Sequence, residues 1–125
     1  MALTSAGATW IAQAVKGTTQ TAFNAANAYI GLGTGSTAFD VGQTALVTPV
    51  SPRKGMDSGY PSGAAAVLVY QATFAPAEAN GVIAEWGLFN ASSGGTMIGR
   101  KVEALGEKLN TQSWTFQVTV TFSAS

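Results

Sequence analysis

Residues Ala84 to Lys101 form two apolar stretches joined by a polar, glycine-rich connection. Trp86, Leu88 and Phe89 lie before the connection, and Met97 and Ile98 lie after it. Between them, Asn90 to Gly95 has little to bury, and Gly94 and Gly95 accept positive φ without steric cost. The pattern predicts a β-hairpin over about residues 82–104 that presents its loop at the surface.

The rest of the chain supplies partners for that hairpin. From Ser113 to Phe122, Trp114, Phe116, Val118, Val120 and Phe122 alternate with Thr115, Gln117, Thr119 and Thr121, which predicts a strand with one covered face. Ala66, Leu68, Tyr70, Ala72 and Phe74 alternate in the same way, and Pro76 ends that strand. Ala28 to Leu32 begins another, which gives way to the Gly33-Thr-Gly-Ser-Thr turn. Pro49 and Pro52 each remove a ladder donor, so Val47 to Gly55 reads as an edge strand or an extended loop. Near the N-terminus, Thr4 and Ser5 can cap a helix over residues 5–16, with Trp10, Ile11, Ala14 and Val15 as its apolar stripe and Gly17 as its stop. Such a short helix is stable only when docked on this chain or on a neighbour. The expected fold is therefore mainly β, one domain over residues 1–125. It is an antiparallel β-sandwich or small, jelly-roll-like barrel with a short N-terminal helix.

Composition narrows the function. Only 10% of the residues are charged and the net charge is zero, against about 25% charged in an average soluble domain. A weakly charged chain of mean hydropathy +0.22 has little to hold copies apart in solution, which points to a surface normally covered by a partner. Thr, Ser, Asn, Gln and Gly can also solvate a small β protein without charge, so both readings stand. The longest purely apolar run, Ala64 to Tyr70, is far short of the ~20 residues of a spanning helix. The first basic residue, Lys16, follows the first apolar stretch instead of preceding it, unlike a secretory leader.

Catalytic chemistry finds few tools here. Neither His nor Cys occurs, which removes the usual base of a hydrolytic triad and the usual ligands of a transition metal. No cofactor is expected. Gly31-Leu-Gly-Thr-Gly resembles a phosphate loop, but Ser36-Thr-Ala-Phe-Asp after it does not start a helix. The six carboxylates, Asp40, Asp57, Glu78, Glu85, Glu103 and Glu107, show no pairing that would assign acid and base roles. Glu85 beside Trp86 could have a raised pKa in an apolar wall, although alternation puts the two on opposite faces. Arg53-Lys54 and Arg100-Lys101 are dibasic pairs. With no net positive charge behind them, they fit a protein partner better than nucleic acid. Asn90-Ala-Ser92 matches a glycosylation sequon, read as a coincidence of loop composition.

The chain resembles a family of small tailed-bacteriophage virion proteins, whose members are labelled tail fibre, minor capsid or head decoration proteins. The resemblance runs almost end to end through Ala28-Tyr-Ile-Gly-Leu-Gly-Thr-Gly-Ser-Thr, Gln43-Thr-Ala-Leu, Arg53-Lys-Gly-Met and Gly59-Tyr-Pro. Its most specific block is Glu85-Trp-Gly-Leu-Phe-Asn-Ala-Ser-Ser-Gly-Gly-Thr-Met-Ile-Gly-Arg-Lys-Val. The resemblance implies a non-enzymatic component of the virion, assembled in the host cytoplasm. A capsid decoration protein on the outside of the major capsid protein shell is the first expectation, because no stalk or heptad pattern of a fibre is present. A trimer is expected by analogy with other decoration proteins. The expected contacts are Trp10 and Ile11 in the helix, the cations Arg53, Lys54 and Arg100, and Asn90 and Ser92 in the hairpin loop. The alternative is a tail fibre or adaptor module that touches a host receptor, where Tyr60, Trp86 or the hairpin loop would stack on a glycan. That reading requires Trp86 or Trp114 to lie open.

Overall fold

The computed structural model describes residues 1–124. It contains β1 (Ala2–Leu3), α1 (Ser5–Lys16), β2 (Tyr29–Gly33), β3 (Pro49–Gly55), β4 (Val67–Phe74), β5 (Gly81–Phe89), β6 (Met97–Lys108) and β7 (Trp114–Thr121). The fold is mainly β, with antiparallel sheets in a small sandwich-like arrangement and one short N-terminal helix. One sheet has five strands in the order β1-β6-β5-β2-β3, and the other is the β4-β7 ribbon. The expected hairpin is β5 paired with β6, with Leu88 opposite Gly99 and Phe89 opposite Met97. Gly94 and Gly95 take φ values of 60° and 67° at its tip, where side-chain-bearing residues would be strained. The proline-bearing strand β3 lies at a sheet edge, where a missing donor costs no ladder bond.

Between the sheets, Ile30, Leu32, Trp86, Leu88 and Ile98 meet Tyr70, Ala72, Phe74 and Val118. Strict alternation would put Ile83 on the face of Glu85, yet Ile83 is buried in this same core. A register irregularity between Ile83 and Glu85 lets it turn inward with Trp86. The opposite face of the large sheet is also covered. There Leu46 packs with Phe89 and Met97, so the segment between β2 and β3 roofs the large sheet.

Helix α1 docks on its own chain. The Thr4 hydroxyl accepts the Gly7 N–H at 2.9 Å and donates to the Met97 carbonyl at 2.6 Å, so one side chain starts the helix and ties it to β6. Gly17 closes the helix at φ 97°. The apolar stripe lies one turn earlier than expected. Trp10 and Ile11 pack on the core, while Ala14 is exposed and Val15 is 83% exposed. Gly7 causes the shift: a Cβ there would lie 2.3 Å from the Ile98 carbonyl oxygen, so the backbone makes contact where a side chain would hold it off.

Candidate functional site

The hairpin tip is the feature around which most of the expected contact residues gather. Asn90 is buried, and its Nδ2 donates to the Thr21 carbonyl at 2.9 Å while its Oδ1 accepts the Thr96 N–H at 2.8 Å. Trp10 Nε1 donates to the same Thr21 carbonyl at 3.1 Å. These bonds fix one flank of the tip, an open cleft of about 360 Å³ lined by Trp10, Gln20, Thr21, Asn90, Gly95 and Thr96. On the other flank, Arg53 Nη1 donates to the carbonyls of Ala91 at 3.0 Å and Gly94 at 2.9 Å. Its guanidinium lies 3.5 Å above the Phe89 ring, a cation–π contact that holds the side chain flat. A second cleft of about 250 Å³ runs there past Pro49, Val50, Arg53 and Ser92.

The structure thus brings Trp10 to Asn90 and Arg53 to Ser92, on opposite sides of one ridge. Ser92 is exposed at its crest. Asn90 acts as the staple of the loop instead of a free contact. Asn90→Ala removes the acceptor of the Thr96 N–H and should cost about 1–2 kcal/mol, read as a lower urea midpoint with unchanged slope.

The remaining expected contacts lie elsewhere. Ile11 lines an apolar groove of about 230 Å³ with Met1, Leu3, Ile98, Val120 and Phe122. Lys54 Nζ is bound to both oxygens of Glu78, at 2.8 and 2.9 Å. That bond and the Ala75 N–H hold the Glu78 carboxyl below its usual range.

Arg100 requires correction as a contact residue, because it is fully buried. Alternation turns Lys101 out and Arg100 in, beneath the roof segment. Arg100 Nε donates to Glu85 Oε1 at 2.8 Å, Nη1 to Gln43 Oε1 at 3.1 Å and Nη2 to the Thr37 carbonyl at 3.0 Å. Glu85, equally buried, also accepts the N–H groups of Gly35 at 3.0 Å, Val47 at 2.9 Å and Thr48 at 2.7 Å. Burial pushes its carboxyl up, but the Thr48 N–H, the Arg100 guanidinium and the N–H groups of Val47 and Gly35 together hold it below the usual range. The suspected raised pKa is therefore reversed. Glu85 and Trp86 do lie on opposite faces, as alternation requires, and Glu85 organises a loop.

Three more carboxylates are likewise engaged in local structure. Asp57 accepts from Gln71 at 3.1 Å and Thr73 at 2.7 Å, and Asp40 accepts the Gly42 N–H at 2.7 Å. Lys101 lies 2.9 Å from Glu103 and holds its carboxyl below the usual range. Among the described residues no group of three or more His, Cys, Asp or Glu side chains could hold a metal ion. Among the described residues no helix is long and apolar enough to cross a membrane. Trp86 is 7% exposed and packs edge-on to Phe116 with ring centroids 5.4 Å apart. Trp114 is half-buried against the core. No family model matches this chain, and no curated protein matches it.

Proposed function

We propose that the chain is a structural protein of a tailed-bacteriophage virion, a capsid decoration or minor capsid protein that binds the outside of the major capsid protein shell as a homo-oligomer. The observation that carries this reading is how the chain uses its few charges. Lys54, Arg100 and Lys101 are paired with Glu78, Glu85 and Glu103. Arg53 is bound to loop carbonyls, and Lys108 donates to the Ala75 carbonyl and to Asn80 Oδ1, each at 2.9 Å. Among the described residues, Lys16 alone of the cations makes no ion pair or hydrogen bond. The surface left to a partner carries few free charges, Lys16, Asp40 and Glu107 among them, and is otherwise built of hydroxyls, amides, glycine and scattered apolar side chains. Such a surface favours close packing in an assembly over long-range electrostatic capture. Repeated over a lattice, weak neutral contacts add up by multivalency and stabilise the assembled shell over its free subunits.

A second reading, a tail module that contacts a host receptor, is supported by the cleft beside Trp10, where an indole adjoins the polar Gln20, Thr21 and Thr96. Trp86 no longer contributes to it, since its ring lies in the core. Gold-conjugated antibody against the purified protein, applied to intact virions of the encoding phage, separates the readings. Labelled heads are expected. Label confined to tails overturns the cement reading in favour of the tail module, and absence of the protein from purified virions overturns both.

A further inference from the structure

Strand β7 has an open edge that differs from the other sheet edges. The Phe122 N–H donates to the Ala66 carbonyl at 2.8 Å, so the even-numbered residues of this strand direct their backbone groups to β4. Thr115, Gln117, Thr119 and Thr121 direct theirs away from β4. Among the described residues, β7 pairs with β4 alone. The outer edge of β4 is occupied by its own chain, through Asp57 N–H to the Gln71 carbonyl at 2.8 Å and a two-way bond between Ser62 and Val69 at 2.8 and 2.7 Å. Strand β3 carries Pro49 and Pro52, β1 has two residues, and β6 beyond β1 carries the Lys101–Glu103 pair. These are the usual guards of a sheet edge. Strand β7 has none: no proline, no irregularity in its register with β4, and no charged residue from Leu109 to Ala124.

We infer that this edge pairs with β7 of a second copy, antiparallel and centred on Val118, joining two β4-β7 ribbons into one four-stranded sheet across a twofold axis. Parity puts the axis through a residue, and Val118 is the midpoint of Trp114 to Phe122, so this centre pairs the whole strand. Centring on Val118 sets Gln117 opposite Thr119 and Thr115 opposite Thr121, so each residue with outward backbone groups meets another in a hydrogen-bonded pair. On the inner face it sets Phe116 opposite Val120 and Trp114 opposite Phe122, apolar against apolar. The outer face continues as a Thr/Gln ladder. Phe122, 48% exposed in one copy, gains an aromatic neighbour. An isologous contact needs a self-complementary strand, and the alternation of β7 supplies it. The assembly is a twofold pair in place of the trimer expected by analogy, and it stands apart from where in a virion the protein acts.

Sedimentation velocity over 1 to 100 μM of the purified full chain tests this, with the concentrations chosen to bracket the micromolar range of about 8 kcal/mol. The wild type is expected to dimerise. Thr119→Pro removes one outward donor per copy and places a ring on the edge while leaving the bonds to β4 intact, and should weaken dimerisation at least about tenfold. Val118→Cys reads the register with a conservative change in a chain that has no other thiol. Val118 of the two copies meets on the axis in a non-hydrogen-bonded pair, about 4.5 Å between Cα atoms, within disulfide reach. Mild oxidation should therefore link Val118→Cys chains and leave Thr115→Cys chains unlinked. A wild type monomeric at 100 μM overturns the proposal, as does a folded Thr119→Pro variant that dimerises normally. If Thr119→Pro does not fold, the cysteine pair decides alone: linkage at 118 and not at 115 supports the pairing, and any other outcome overturns it.

Discussion

Arg100→Ala is expected to destabilise the fold by about 3–5 kcal/mol, a loss measured by urea unfolding at pH 7. The cause is burial without alternatives. Neither Arg100 nor Glu85 has exposed side-chain surface, so removing the guanidinium leaves a carboxylate with no countercharge and strips donors from Gln43 Oε1 and the Thr37 carbonyl. The roof from Thr34 to Thr48 should loosen first, seen as new protease cleavage between residues 34 and 48 while the β4-β7 ribbon stays intact. Arg100→Lys should recover only part of the loss, because one ammonium cannot reproduce a fork that spans three acceptors on two segments.

The same pair sets an acid dependence. Glu85 has a folded pKa below its unfolded value of about 4.3, so the unfolded chain binds the proton more tightly. Its contribution is complete above that unfolded value and is lost as pH falls through the folded one. Without Arg100, a cause that lowers the carboxyl is gone while burial remains, so the folded value moves up and the acid loss shrinks. Unfolding free energies at pH 7 and pH 3 should therefore differ less for Arg100→Ala than for the wild type. An equal or larger difference would show that Arg100 does not hold the Glu85 carboxyl down.

Gly7→Ala carries the other large effect, and here two principles oppose each other. In an exposed helix, alanine in place of glycine would stabilise by about 1 kcal/mol. At this position the new Cβ would lie 2.3 Å from the Ile98 carbonyl oxygen, a backbone atom of the large sheet that cannot swing aside as a side chain could. The helix must lift. Lifting it strains the Thr4 bridge to Met97 and withdraws Trp10 and Ile11 from the core, so overpacking wins with a net loss of about 3 kcal/mol. Thermal unfolding should show a lower midpoint, and tryptophan fluorescence should report Trp10 moving into water. A midpoint at or above that of the wild type would show that helix propensity outweighs the contact.

This docking also changes the use of Trp10 and Ile11. A double change of both to Ser, which would be a surface test if the helix served a partner, removes core contacts of the chain itself. Ala14 and Val15 are among the exposed positions on α1 at which a partner can be sought without disturbing the fold.

Alternating apolar and polar residues mark β4 and β7, because a period of two has one structural meaning, and two apolar stretches around the polar tip between Asn90 and Gly95 mark β5 and β6. Pro49 and Pro52 restrict their segment to an edge strand or an extended loop through the donors they lack, and Thr4 and Gly17 bound the helix through cap chemistry. All of these are local consequences of residue type. The roof over the large sheet is not, because Gly35, Val47 and Thr48 contribute backbone N–H groups, which every residue but proline has, and nothing in their order marks Glu85 as the acceptor. Arg100 reads as a surface cation until its strand is placed beneath that roof. Gly7 reads as a weak helix residue until Ile98, 91 positions later, is brought against it. Contacts between distant segments, and the burial that turns a charge from a contact into a strut, come into being only when the chain closes on itself.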